Sequence, residues 1–295
     1  MDCSKNNGSC PSGGCASSGT EIHPETVEKE DDQKLLHRLS KIKHKILVLS
    51  GKGGVGKSTV AANVASSLAL RKLQTGLLDV DFHGPSIPTL LSLGGRAVYS
   101  DSEGLVPIDY NPYLKVMSLG FLLRNQDDAV IWRGPLKMQV MKQLLQDVLW
   151  GELDYLVMDF PPGTGDEPLS IAQLIPDIDG AIIVTTPQNL SLNDVRKSIN
   201  FCRQVKVPVL GVIENMSGFI CPHCHEVVDI FKKGGGEKMA EKMGVPFLGR
   251  IPMTTLVVEA SDEGSPFVEK HQDAEVSRIF SGIIDKLIEK IDRKG

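Results

Sequence analysis

Short, unbroken apolar runs recur along this chain and alternate with longer stretches whose apolar positions return every three or four residues. The runs Ile46–Ser50, Gly76–Asp81, Leu114–Leu119, Tyr155–Phe160, Gly180–Thr185, Val209–Glu214 and Phe247–Ile251 predict strands. Unbroken rather than alternating runs are what strands covered on both faces require. The stretches Ser58–Leu73, Leu136–Leu149, Asn189–Gln204 and Gly236–Met243 carry helical spacing. This rhythm predicts an α/β fold: a doubly wound, mostly parallel β-sheet with helices on both faces. Ligands in such sheets bind beyond the carboxyl ends of the strands. From Val276 to Ile291, the residues Ile279, Phe280, Ile283, Ile284, Leu287, Ile288 and Ile291 form one helical stripe between lysines. Such a stripe docks a helix on a core or lays it on a membrane surface; docking is the expectation here.

Composition changes the picture mainly at the amino end. Residues 1 to about 34 are rich in Ser, Gly, Asn, Glu and Lys and almost devoid of apolar side chains. They cannot bury enough surface to offset the entropy of ordering. The folded part is expected to start near Leu35 or Lys41, giving a flexible cysteine-containing tail over 1–40 and one domain over 41–295. Hydrophobic residues make up 41% and charged residues 23% of the 295, an ordinary globular balance. A net charge of −5 does not suit coating nucleic acid or an anionic membrane, so neither is expected as a partner. No apolar run reaches the roughly 18 residues of a spanning helix, and the first residues lack a signal-peptide core. A cytoplasmic protein is expected, in which six cysteines serve as thiols or metal ligands rather than disulfides.

The chemistry starts at Gly51-Lys52-Gly53-Gly54-Val55-Gly56-Lys57-Ser58-Thr59, which fits G-x-x-x-x-G-K-S/T between a strand and a helix. Its glycines let backbone N–H groups converge on a phosphate, and the helix start adds its positive end. Lys57 is placed to neutralise the β- and γ-phosphates, and the Ser58 hydroxyl to reach Mg²⁺. Lys52 is a second lysine inside the loop. Asp79 and Asp81 end the next strand; one can organise Mg²⁺ and its water, the other can orient water on the γ-phosphate. Leu156-Val157-Met158-Asp159 is an apolar strand ending in a carboxylate that suits the Mg²⁺ shell. The loop Pro161-Pro162-Gly163-Thr164-Gly165-Asp166 is stiff and glycine-punctuated, able to approach a γ-phosphate and respond to its loss. Together these elements predict a nucleoside-triphosphate-hydrolysing site.

Cys221-Pro222-His223-Cys224 is a second chemical feature, in a segment over 217–229 inserted between a strand and a helix. Two thiolates on one turn bind one edge of a metal, and a tetrahedral zinc or a four-iron cluster needs about four ligands. Four completions remain open: a twin pair across a dimer, the tail cysteines Cys3, Cys10 and Cys15, the histidines His223 or His225, or a redox dithiol without metal. Cys202, on the Asn189–Gln204 helix among apolar neighbours, reads as a core residue.

The phosphate loop with its extra lysine resembles the deviant Walker A of the MinD/ParA superfamily of P-loop NTPases. That resemblance implies that Lys52 contacts nucleotide across a dimer interface, that Asp81 positions water, and that Asn215 reads the adenine edge. An amide suits the last task because it both donates and accepts. Joined with Trp132-Arg133-Gly134-Pro135, with Met158 through Asp166, and with Gly211-Val212-Ile213-Glu214-Asn215-Met216-Ser217 before Cys221-x-x-Cys224, the pattern is similar to the Mrp/ApbC family. These are iron–sulfur cluster carrier and scaffold ATPases, and the likeness runs from about Lys43 to Ile288. It implies a homodimer whose Cys221 and Cys224 pairs hold a [4Fe-4S] cluster, slow ATP hydrolysis, and transfer of the cluster to apo iron–sulfur proteins. The tail departs from the eukaryotic-type pattern of four cysteines with a C-x-x-C: its three are separated by six and four residues. Two other functions fit the loop. A MinD/ParA-like spatial-positioning ATPase needs no cluster but needs a basic or amphipathic face. A nitrogenase-reductase-like electron donor carries its cluster cysteines far apart in sequence, unlike this pair.

Overall fold

The computed structural model describes residues 33–82, 84–122, 134–221, 223–224 and 226–293. Cys3, Cys10, Cys15, Trp132, Arg133, Pro222 and His225 lie outside the described residues. The strands are β1 (Ile42–Leu49), β2 (Thr75–Asp79), β3 (Ile108–Asn111), β4 (Leu114–Ser118), β5 (Leu153–Asp159), β6 (Gly180–Thr185), β7 (Val209–Glu214), β8 (Phe219–Ile220), β9 (Val227–Val228) and β10 (Phe247–Arg250). The helices are α1 (33–39), α2 (Lys57–Leu70), α3 (Ile87–Leu90), α4 (Gly134–Asp147), α5 (Asp166–Leu174), α6 (Asn189–Gln204), α7 (Gly235–Met243), α8 (Thr255–Asp262), α9 (Phe267–Lys270) and α10 (Glu275–Asp292).

Eight strands form one sheet in the order β10-β7-β6-β1-β5-β2-β4-β3, parallel throughout except for β3, which pairs antiparallel with β4 at the edge. The apolar runs explain the two-sided burial. In β1, Ile46 and Val48 enter one layer while Leu47 and Leu49 enter the other; β5 divides Tyr155 and Val157 from Leu156 and Met158 in the same way. The first layer is closed by α2 and α10, through Val64, Leu68, Phe280, Ile284 and Leu287. Arg71, just past α2, adds an ion pair to Asp285 of α10 at 2.6 Å. The second layer is closed by α1, α4 and α6, with Cys202 fully buried among them. The C-terminal stripe therefore docks on the core.

The packed part starts inside the 1–40 stretch assigned to the tail. Residues 33–39 are helical, and Leu35 and Leu39 are buried in the second layer. Two apolar side chains one turn apart hold that turn to the core, and the bonds from Lys34 to Asp147 and from Arg38 to the Glu103 and Val148 carbonyls tie its polar side.

Parallel register is what positions the site. Val48 pairs with Asp159, and Asp79 pairs with Asp159 on the other side of β5. The ends of β1, β5 and β2 thus bring the phosphate loop and two carboxylates together before any side chain is considered.

Candidate functional site

Helix α2 opens at Gly56, whose φ of 79° is left-handed, with no side chain capping it and no acidic residue in its first turn. The first amide N–H groups of the helix are therefore left for a ligand anion. Glycine is required twice over at position 56, because a Cβ would also lie 2.3 Å from Nδ2 of Asn215. The loop lines a cavity of about 300 Å³ together with Ser50, Lys52, Asp81, Ser86 and Pro162. Gly53, Gly54, Gly56, Lys57, Ser58 and Thr59 line it; Gly51 instead packs against Asp194 of α6, and Val55 is buried.

Lys57 is buried, with its Nζ 2.5 Å from Oδ1 of Asp159 and 3.7 Å from Oδ2 of Asp81. It also donates to the Ser58 hydroxyl at 3.3 Å. Burial pushes the Asp159 carboxyl above its ordinary range while Lys57 pulls against that shift. Its second oxygen, Oδ2, is buried with no hydrogen-bond partner. Asp79 faces inward and is absent from the cavity wall. Its Oδ1 accepts from the Asp81 N–H at 3.1 Å, and its Oδ2 accepts from the Ser118 hydroxyl at 2.9 Å and the Ile87 N–H at 3.4 Å. Burial, then the neighbouring Asp159, raises its carboxyl to about 8. Asp79 thus pins both ends of the loop that presents Asp81. The Pro161–Asp166 loop is tied in through Gly163, whose N–H donates to the Ser50 carbonyl at 2.8 Å.

Asn215 follows β7 and reaches back to the phosphate loop, its Nδ2 donating to the Val55 carbonyl at 2.9 Å. Beside it opens a second cavity of about 430 Å³, walled by Met216, Phe219, Pro252, Met253, Val257 and Val258. The two cavities adjoin at Gly56 and Thr59, a polar, cationic one beside a largely apolar one. A nucleotide has that polarity: charged phosphates at one end and a flat base at the other.

The cysteines sit on neither cavity wall. They lie on the turn of the β8–β9 hairpin, with the Cys221 N–H donating to the Glu226 carbonyl at 3.0 Å. The backbone N–H of Cys224, then that of His223, holds the Cys221 thiol below its ordinary range. Cys224 is exposed, and Val227, Val228 and Ile230 beside it are more than half exposed. Cys202, by contrast, has its thiol pushed up to about 12 by burial.

Sequence reasoning left two groups unassigned. The walls of the apolar end come from 216–219 and 252–262, distant in sequence; Met216 lies in the 211–217 stretch, but no motif marks 252–262. Glu214 is fully buried and accepts from Ser217, Gly234 and Gly236. A glutamate closing an otherwise apolar strand was the signal available for it.

A glycine-rich strand-to-helix loop, a buried lysine on a strand-end aspartate and adjoining cavities of nucleotide polarity define a P-loop nucleotide-binding protein. A family model described as ParA: NUBPL iron-transfer P-loop NTPase matches residues 41–288, and the chain belongs to that family. It is 50% identical over 280 residues to the iron-sulfur cluster carrier protein of Methanocaldococcus jannaschii, covering 95% of this chain and 96% of that one. It is 50% identical over 260 residues to the cytosolic Fe-S cluster assembly factor CFD1 of Kluyveromyces lactis, covering 85% of this chain and 92% of that one. Among solved structures, the nucleotide-binding protein of Archaeoglobus fulgidus in complex with ADP superposes with a TM-score of 0.73 at 40% identity, over 84% of this chain and 96% of that one.

Proposed function

We propose that this protein is an ATP-binding and ATP-hydrolysing carrier that holds a [4Fe-4S] cluster between two copies of itself and passes it to apo iron–sulfur proteins. The observation that carries this reading is the coexistence, in one fold, of a nucleotide groove and a two-thiolate turn exposed at the surface. Among the described residues, no group of three or more His, Cys, Asp or Glu could hold a metal ion. Two thiolates per chain are half of what a four-iron cluster takes, so a second copy completes the set. The exposed valines and isoleucine around the pair give that contact an apolar rim. The names of the archaeal and yeast relatives support the carrier role, and the yeast relative's name supports a cytosolic location.

In the nucleotide groove, Lys57 leaves Asp159 for the β- and γ-phosphates, while the amides of the loop cradle them. Lys52 reaches the partner's nucleotide, and Asp81, held by Asp79, orients the attacking water. The apolar slot takes the adenine, with Asn215 at its edge. Ser58 and the unpartnered Oδ2 of Asp159 fit a Mg²⁺ ion, since a bound cation would satisfy an otherwise orphaned buried oxygen. That ion would neutralise phosphate charge. Turnover is slow and coupled to cluster loading or transfer.

Anaerobic reconstitution tests the reading. The wild type should take up about four irons and four sulfides per dimer. The Cys221→Ser/Cys224→Ser double variant should take up none while still binding ADP. A cluster of undiminished size in that variant, or a monomeric wild type free of iron and sulfide, would overturn the proposal.

A further inference from the structure

The end of β7 sends two side chains in different directions. Asn215 turns to the phosphate loop. Glu214 turns to the segment that carries the cysteines, and there one buried carboxylate ties both of its ends. Oε1 accepts from the Ser217 hydroxyl at 2.5 Å and from the Gly234 N–H at 2.9 Å; Oε2 accepts from the Gly236 N–H at 2.5 Å. Arg250 places its Nε 3.5 Å from Oε1. The approach is close enough that a Cβ on Gly236 would lie 3.1 Å from Oε2.

Beyond this neck, the first strand of the hairpin is itself a wall of the apolar slot. The Ser217 N–H donates to Ile251 O at 3.0 Å, the Met253 N–H to Gly218 O at 2.7 Å, and the Ile220 N–H to Met253 O at 3.1 Å. The two segments are thus paired side by side, Phe219 beside Met253, and together they give the slot Met216, Phe219, Pro252, Met253 and Thr254; Cys221 follows Phe219 by two residues. The phosphate end meets the slot at Gly56 and Thr59, and the rest of its lining comes from elsewhere: the β1–α2 loop, the segment after β2 and Pro162. An occupant of the slot packs on side chains of both segments, Met216 and Phe219 of one and Pro252 and Met253 of the other. With the neck clamped, that strand moves only together with the cysteine turn.

We propose that Glu214 is a positioning residue that joins the cysteine pair to the base slot, so that the adenosine half of the nucleotide, rather than its phosphates, sets the state of Cys221 and Cys224. This rests on the nucleotide-dependent carrier reading above and supplies the route by which the groove reaches the thiols. Glu214→Gln keeps the shape but places an amide donor against one of the N–H groups that the carboxylate now accepts.

The test measures alkylation rates of Cys221 and Cys224 by iodoacetamide in the reduced, metal-free, full-length protein, read by peptide mass spectrometry with buried Cys202 as internal control. Adenosine and Mg·ADP should each slow alkylation by roughly fivefold or more, and inorganic tripolyphosphate should leave it unchanged. Glu214→Gln should erase the adenosine effect while ADP affinity persists, and Ser217→Ala, which removes a single donor, should weaken it. Protection by tripolyphosphate equal to that by ADP overturns the proposal, as does a full adenosine effect in both variants. Loss of ADP binding together with protection in both variants overturns it too, because that pattern is a general loss of structure. Iron analysis of the reconstituted wild type separates the two readings. Thiol protection without any iron uptake refutes the carrier function alone, whereas a full cluster without protection refutes the coupling alone.

Discussion

Lys57→Met removes the ammonium from the centre of the site and keeps most of the stem. It strands Asp159, which is 0% exposed and in register with Asp79, itself 0% exposed. Removing one partner of a buried pair costs about 3–5 kcal/mol. The proton sets a ceiling on that cost, since Asp159 can become neutral instead. With an unfolded carboxylate near 3.9, neutrality costs about 1.4 kcal/mol per pH unit above that value, or about 5.6 kcal/mol at pH 8 and roughly 2.2 kcal/mol at pH 5.5. The sign follows from a raised folded-state value: the stability is present below the unfolded value and is lost as pH rises. Urea unfolding of the nucleotide-free protein, followed by circular dichroism at pH 8 and pH 5.5, should show a large deficit at the first and a deficit of about 2 kcal/mol or less at the second. Adding Asp159→Asn removes the stranded charge, so the double variant should recover most of the stability lost at pH 8. It should not recover ADP binding, because nothing replaces the ammonium at the phosphates. A single variant as stable as wild type at pH 8, or a double variant no better than the single, would refute this account of the pair.

Asp79→Asn should change the slope of stability against pH. With its carboxyl held at about 8, wild type loses stability from this group between the unfolded value near 3.8 and pH 8, by at most about 1.4 kcal/mol per unit, and the variant does not; parallel stability curves for the two would contradict it. Gly56→Ala forces a side chain into a left-handed position against Asn215, at about 1–2 kcal/mol in backbone strain alone. Calorimetry should find ADP affinity down at least about tenfold, and unchanged affinity would show that the loop tolerates a Cβ. Leu39→Ala should cost about 2–5 kcal/mol although it lies in a charged stretch, because the side chain is 0% exposed; a neutral outcome in urea unfolding would remove α1 from the core.

The inner strands were legible because burial on both faces writes itself as unbroken apolar runs, as in Gly180–Thr185 and Val209–Glu214, which match the structure residue for residue. The phosphate loop was legible for a different reason: its chemistry is backbone chemistry, and glycine is the only way to write it. Strand β3, Ile-Asp-Tyr-Asn, was not visible, because an edge strand is half solvated and takes its pairing from β4. The two-residue strands of the cysteine hairpin are likewise held by their surroundings, including the Met253 segment, rather than by their own propensity. Helix α2 ends at Leu70, three residues short of the expected Leu73, where Lys72 turns left-handed with φ 62°. Of the two carboxylates at the end of β2, sequence could not say which turns inward; strand register decides it, by setting Asp79 directly beside Asp159. The thiol pair was plain from its spacing. The base slot was not, because it is made where 216–219 meets 252–262, and only the fold brings those together.

Helix α10 covers the helix that bears the phosphate loop, through the first apolar layer and the Arg71–Asp285 pair. The two are separated by about 200 residues of chain, from Leu70 to Glu275. On the ribosome, that separation is a delay of roughly 10–40 s at ordinary elongation rates. During it the loop-bearing helix is already made while its cover is not, so its greasy flank stays open to chaperones and to mispairing. The nucleotide pocket is therefore complete only near the end of synthesis, and slowing elongation late in the message should prolong that exposure.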